Sequence, residues 1–366
     1  MDGHKMKLKS LKYKENYTQN KENPWEFQEI IFGDLNLIIG KNATGKTRII
    51  AVIHNLAKLI QAPQIIRNGN WNASFIDEFY NKLDYSIQIE NSEIVHERIL
   101  LNGNMKLSRS SSSVEIYSEI SQNMQKISPP NDRLVLHVRR DKTEYPFFES
   151  LFSWANGVRG YRFANTSPDL IEIPGKPFQL GSLNAVPSAL EQLTVLQLQI
   201  VLNQLQEIGY NLEKAETKPF EGLPPATKIV YLKEQGIDIP LKQFEISQGM
   251  FRAFALLTII EYHRSTNDVG AILIDDLGEG LDFERSKKLA EIIFQKKADS
   301  KIQFITTSND SFLMNAVSLN DFTVCHREKH TVHCFNYANS KEKFDNWKEL
   351  GLNNFDLLSS NFLLDQ

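Results

Sequence analysis

The chain has 366 residues, 41% of them hydrophobic and 23% charged, with a formal net charge of −4. That length can bury a large core in one elaborated α/β domain or in two lobes, and the composition excludes wholesale disorder. Two cysteines, Cys325 and Cys334, cannot build a disulfide scaffold or a four-ligand zinc site, and no apolar run approaches the roughly 18 residues that span a bilayer.

The first residues carry Lys5, Lys7, Lys9, Lys12 and Lys14 with no apolar segment behind them, so no secretory signal is read. A cytoplasmic location and no membrane association are expected. Residues 5–14 read as a strand with a lysine face. Lysine keeps a sheet edge soluble, and the alternative is a stripe for a nucleic-acid backbone. Next, the apolar run Leu35, Leu37, Ile38, Ile39 leads into Gly40-Lys41-Asn42-Ala43-Thr44-Gly45-Lys46-Thr47, and Ile49, Ile50, Val52, Ile53 and Leu56 follow at helical spacing. A buried strand running into a loop that opens a helix is the setting a phosphate cradle needs. Glycines let backbone N–H groups close around phosphate oxygens, and the helix start adds its positive end. Lys46 can reach the β- and γ-phosphates, and the Thr47 hydroxyl can join a Mg²⁺ shell. Gly40, Asn42, Ala43, Thr44, Gly45, Lys46, Thr47 and Arg48 are the nucleotide-binding candidates, and the helix is expected over about 45–60.

Residues 84–120 alternate with period two around turns at Asn91-Ser92 and Asn102-Gly103, which predicts an antiparallel meander, with Ser108 to Ser113 as a polar loop. Leu134 to Val138 reads as a further strand. Arg139 and Arg140 at its end suit either phosphate or a surface salt bridge. Residues 145–183 read as aromatic and irregular, Pro187 to Ile208 as one amphipathic helix, 214–227 as loop and 229–241 as a hairpin.

Ile246-Ser247-Gln248-Gly249 precedes an apolar helix, a second helix start with Ser247 as cap. Ala271 to Ile274 form a buried strand ending in Asp275-Asp276, where a carboxylate suits Mg²⁺. Glu279 and Asp282 follow. A third strand, Ile302 to Ile305, ends in Thr306-Thr307-Ser308-Asn309-Asp310. The tail from Phe344 to Leu364 carries enough apolar side chains that it must pack, on this chain's own sheet or in a partner's groove.

Together these stretches resemble the ABC-type ATPase heads of the SMC, RecF and OLD group. Gly40 to Thr47 resembles that group's G-x-N-x-x-G-K-[ST], with Asn42 at its third position. Ile246 to Gly249 looks like the signature, which in the family reaches across a dimer to the partner's γ-phosphate. Ile272 to Asp276 resembles Walker B, Leu281-Asp282 the D-loop, and Thr306 to Asn309 the switch strand. The resemblance implies an α/β P-loop ATPase core of the ABC/SMC-head type, with an antiparallel β-subdomain and a helical insertion lobe. It divides the chain into an ATPase lobe over 1–110, an insertion lobe over 111–245, a second ATPase half over 246–340 and a tail over 341–366. It implies ATP and Mg²⁺ as cofactors, Thr47 and Asp275 at the metal, and Ser247 and Gly249 closing the site of a second copy in a homodimer. The absence of long arms is similar to the small AAA-family ATPases that control an effector in bacterial anti-phage systems.

Two positions depart from the family pattern. Asp276 stands where a general-base glutamate is expected, one methylene shorter, and Ser308 stands where the switch histidine is expected. Asp276, Glu279 as a substitute base, and Ser308 are therefore the catalytic candidates, and slow hydrolysis is expected. Two other readings compete: a DNA-maintenance head acting on nucleic acid through Lys7, Lys9, Lys12, Arg139 or Arg140, and a nucleotide-dependent scaffold without turnover.

Overall fold

The strand that feeds the phosphate loop, Leu35–Gly40, is buried at every position. Leu35, Leu37 and Ile39 face one hydrophobic core and Ile38 the other. A strand covered on both sides must read as a continuous apolar run, as this one does. In the computed structural model, residues 6–16, 24–63, 67–110, 113–172, 185–223, 227–266, 270–295, 302–360 and 362–364 are described. Lys5, most of the loop expected before Trp25, Ser111, Ser112, Phe178 and residues 224–226 lie outside them.

Leu35–Gly40 sits within a sheet of 14 strands among the described residues. On one side it pairs in parallel with Gln303–Thr307, which pairs with Ala271–Asp275, which pairs with Val158–Arg162 at the sheet edge. On the other side it pairs in parallel with Phe322–Glu328. Parallel neighbours bring their C-terminal ends to one edge, so Arg162, Asp275, Thr307 and Gly40 arrive together. That edge is where ligands bind in open α/β sheets.

The meander is present and longer than expected, running through Gly69–Ile76, Lys82–Glu90, Glu93–Leu101, Asn104–Ser110, Ser113–Ser118 and Asn123–Ile127. It continues the same sheet, reaching the nucleotide-binding strands through Lys7–Lys14, Glu26–Ile31, Thr331–Asn336 and Phe322–Glu328. The stretch expected as a polar Ser/Arg loop is largely hairpin, because Arg109 turns inward and is 2% exposed.

Several local expectations are corrected. Lys7–Lys14 lies inside the sheet, between Glu26–Ile31 and Gly69–Ile76, and is no edge strand. Leu8, Leu11 and Tyr13 are buried, while Lys9, Lys12 and Lys14 point to solvent. Val135–His137 is a single turn of 3-10 helix in place of a strand; its apolar side chains are buried and the Val135 amide donates to Glu97. The irregular aromatic stretch holds a helix, Phe147–Asn156, and the edge strand Val158–Arg162. The single amphipathic helix is two, Val186–Gln192 and Val195–Ile208. The break falls where Thr194 and Gln197 cap each other, the Thr194 amide donating to Gln197 Oε1 at 2.8 Å. Leu212–Pro219, expected as loop, pairs with Lys228–Glu234.

Two layers cover the sheet. The helix after the phosphate loop, Lys46–Gln61, buries Ile49, Val52, Ile53, Leu56 and Ile60 in one core with Phe148, Leu151 and Trp154. The helix after Ser247, Gln248–Thr266, lies in the other core and buries nearly every residue from Phe251 to Ile260, which fits its apolar character all round. The C-terminal helices Lys341–Glu349 and Asn354–Ser359 close this second core with Phe344, Trp347 and Leu357, so the tail packs on its own sheet. No helix among the described residues is long and apolar enough to cross a membrane.

Candidate functional site

The phosphate loop turns through two left-handed residues, Ala43 at φ 64° and Gly45 at φ 106°. A Cβ on Gly45 would meet the Trp25 ring at 2.9 Å, and one on Gly40 would meet Thr44 Oγ1 at 2.6 Å and the Cys325 carbonyl at 2.8 Å. Both glycines are thus fixed by close approach, and Gly45 by its left-handed conformation as well. Lys46 is buried and curls back over the loop, donating to the carbonyls of Gly40 at 2.7 Å and Lys41 at 3.2 Å. Burial pushes its ammonium below the ordinary lysine value, against the pull of Cys325, Asp276 and Asp275. A buried cation held by main-chain carbonyls is primed to exchange them for a stronger anionic partner. Asn42 and Thr47 are exposed and Thr44 is buried. Arg48 is engaged elsewhere: it pairs with the buried Glu15 and stacks on Trp25 at 4.2 Å.

The strand-end acids meet the loop. Thr47 Oγ1 donates to Asp275 Oδ1 at 3.1 Å, across 228 residues of sequence. Thr307 Oγ1 donates to the same oxygen at 2.7 Å and accepts the Asp276 amide at 2.9 Å. Asp275 is buried, and Asp276 is half-buried in a left-handed conformation, φ 56°. Burial first, then the charges of Asp275 and Glu279, push the Asp276 carboxyl above its usual range. A carboxylate that resists losing its proton is one suited to holding a proton taken from water.

Beyond Asp276 the chain turns tightly, with Gly278 at φ 88° and Gly280 at φ 80°. Glu279 is exposed there, and its carbonyl accepts from Arg252 at 2.7 Å. Ser308 is fully buried, and its hydroxyl donates to the Leu277 carbonyl at 2.8 Å. It touches the loop after the acids and not the acids themselves. Ser247 caps its helix weakly, accepting from the Met250 amide at 3.4 Å, and is exposed. Gly249 lies against Tyr210, Leu281 and the Gly280 carbonyl. No hydrogen bond among the described residues links Ser247 or Gly249 to the phosphate loop.

Beside the loop opens a cleft of about 410 Å³, walled by Lys41 to Thr44, by Cys325 to Arg327 and by Leu357, Leu363 and Leu364 of the tail. Arg327 Nη1 donates to the Ala43 carbonyl at 3.1 Å and so ties the neighbouring strand to the loop. Of the basic residues considered for nucleic acid, Lys7 pairs with Asp34 at 2.7 Å, and Arg140 pairs with Glu149 at 2.6 Å and stacks on Phe152.

A loop wrapped around a buried ammonium, beside a hydroxyl and a carboxylate, is a donor set that fits a nucleotide with Mg²⁺. Mg²⁺ needs only one or two protein oxygens when phosphates supply others. Among the described residues there is no group of three His, Cys, Asp or Glu that would hold a metal by itself.

Residues 35–315 match the family model described as "AAA domain, putative AbiEii toxin, Type IV TA system". The chain belongs to this AAA-domain family. No curated protein matches it. Among solved structures it is similar to an SMC head bound to the C-winged helix domain of ScpA, at 12% identity and TM-score 0.50, covering 92% of this chain and 98% of that one. It is also similar to the Smc head domain of Pyrococcus furiosus with an extended coiled coil, bound to the C-terminal domain of ScpA, at 11% identity and TM-score 0.51, covering 95% and 100%. These likenesses establish an SMC-head-like fold, and the family places the chain among P-loop ATPases in general.

Within this AAA-domain chain, sequence reading missed four residues at the site edge: Arg162, Arg252, Thr307 as the bridge between the acids, and Arg327. Thr307 was visible as a polar crown on a buried strand. Arg162 and Arg327 lie at or next to the ends of strands that carry no distinctive motif, so only register reveals them.

Proposed function

We propose that this chain binds ATP with Mg²⁺ and hydrolyses it slowly, as one half of a site that a second copy completes, and that its ATP state controls a partner effector in anti-phage defence. The observation that carries the reading is the contact between Thr47 and Asp275, which joins the phosphate loop to the carboxylate strand. Lys46 exchanges its carbonyl partners for β- and γ-phosphate oxygens, and the loop amides cradle the remainder. Thr47 and Asp275 hold Mg²⁺, which when bound neutralises charge on the phosphates. Asp276 orients the attacking water and accepts its proton, Glu279 is the alternative base, and Ser308 holds the loop on which both sit. Ser247 and Gly249, at the start of their helix, are offered to the nucleotide of the second copy. The family's association with toxin–antitoxin systems supports an effector partner.

The test is ATP binding and turnover of the full chain and of Lys46→Ala and Asp276→Asn, with the mass of the assembly in ATP and in ADP. Expected are binding lost in Lys46→Ala, turnover lost but binding kept in Asp276→Asn, and a doubled mass with ATP. ATP binding indifferent to Lys46 would overturn the reading.

A further inference from the structure

The edge strand Val158–Arg162 pairs in parallel with the carboxylate strand in a register that sets Arg162 opposite Asp275. Its neighbours are anchored: Tyr161 is buried with its hydroxyl 2.6 Å from His263 Nε2, and Phe163 is fully buried. The segment that follows is clamped by Arg252, which donates to the carbonyls of Ala164 at 2.5 Å and Thr166 at 3.0 Å while also holding Glu279. Arg162 is therefore an exposed side chain on an anchored backbone, beside the loop that carries Asp276.

Its guanidinium is less committed than those of three other arginines. Arg133, Arg140 and Arg285 each hold a carboxylate at 2.9 Å or less. Arg162 Nε stands 4.0 Å from Asp275 Oδ2, with the side chain 55% exposed. A half-solvated pair at that distance contributes little to stability. Yet the charge is felt at the site, since Arg162 and Lys46 both draw the Asp276 carboxyl downward. Lys46 and Arg162 thus bring positive charge to the same acids, one from the phosphate loop and one from the sheet edge.

We propose that Arg162 is a γ-phosphate contact supplied by this chain to its own nucleotide: its planar donor fork binds the terminal phosphate, distinguishes triphosphate from diphosphate and offsets charge developing in transfer. The inference rests on the phosphate loop being an ATP site. Arginine suits the task because its fork matches phosphate oxygens and it stays charged. The proposed motion is a side-chain reorientation away from Asp275, which needs no backbone change.

The experiment measures affinity for a non-hydrolysable ATP analogue and for ADP by calorimetry, and single-turnover hydrolysis of ATP, in the full chain, Arg162→Ala, Arg162→Gln and Lys46→Ala. The Gln variant keeps the size of the side chain and carries the measurement if the Ala variant does not fold. Expected is a loss of at least about tenfold in the preference for triphosphate, the worth of one charge-assisted hydrogen bond, with ADP affinity within about twofold. Single-turnover rate should fall by about a thousandfold. An unchanged preference in both Arg162 variants, with binding that still needs Lys46, overturns the assignment of Arg162 and leaves the ATP site standing. Equal weakening of both nucleotides overturns it as well. Absence of any Lys46-dependent binding removes the ATP reading, and this proposal with it.

Discussion

Thr307 donates its hydroxyl to Asp275 at 2.7 Å, and the same oxygen accepts the amide of Asp276 at 2.9 Å. One side chain therefore fixes both acids of the site, the carboxylate of one and the backbone of the other. Thr307→Val removes both bonds while keeping the shape; it leaves the half-buried Asp276 amide without its partner and the buried Asp275 oxygen with Thr47 alone. The expected cost is about 1–3 kcal/mol in urea unfolding. Turnover should fall by about a hundredfold, since an ångström of misplacement is enough. Thr307→Ser should restore most of both. Equal loss in the Val and Ser variants would mean that packing, and not the hydroxyl, matters.

Asp276 combines a left-handed backbone with a carboxyl pushed above its usual range by burial, Asp275 and Glu279. Short polar residues tolerate that conformation better than long ones, which gives a physical reason for aspartate where the resembling family carries glutamate. Asp276→Asn should keep the fold and nucleotide affinity and abolish turnover; Asp276→Glu should be less stable, not faster. A folded-state value raised above the unfolded one gives stability that is lost as pH rises through it. The Asn variant should therefore be the more stable protein at neutral pH, and the two should converge in acid. Thermal unfolding from pH 4 to 8 checks the convergence, and parallel curves would refute the titration.

The phosphate loop, the two-acid strand and the capped helix were legible because their chemistry is local: a few residue types in fixed order beside a periodic apolar run. The walls of the site were not. Arg162 reaches Asp275 only through strand register, which is a tertiary fact. Lys9 and Lys12 advertised an edge strand, yet Glu26–Ile31 and Gly69–Ile76 flank theirs on both sides. Lysines on one face of a strand report a solvated face and say nothing about its lateral neighbours. Leu134 to Val138 has the composition of a strand, but its buried side chains and the Glu97 bond to Val135 hold it as a turn.

Glu97 is fully buried in the meander, accepting from the Tyr85 hydroxyl at 2.9 Å and the Val135 amide at 3.0 Å, with Arg109 at 3.8 Å. Burial outweighs these partners and pushes its carboxyl up to about 7 from 4.5. The folded chain then keeps a proton that the unfolded chain releases. This stability is fully present below about pH 4.5 and is lost as pH rises through about 7, amounting to about 3 kcal/mol. Glu97→Gln should remove that slope from urea unfolding between pH 5 and 8. A wild-type stability that stays flat over the same range would show that Arg109 holds Glu97 ionised.

Trp347 is 2% exposed and meets Phe362 edge to face, with ring centres 5.1 Å apart. It shares a core with Phe344, Leu357 and Leu363, and the last of these also lines the cleft beside the phosphate loop. Trp347→Ala removes a large side chain from a core that cannot collapse around the gap, at about 3–5 kcal/mol. Because the same core supports the cleft wall, the loss should also weaken nucleotide binding when measured below the unfolding temperature. Leu350→Ala, at a residue 55% exposed, is the matched control and should change neither. A Trp347→Ala protein with an unchanged unfolding temperature would mean that the tail leaves the sheet in solution and is free for a partner's groove.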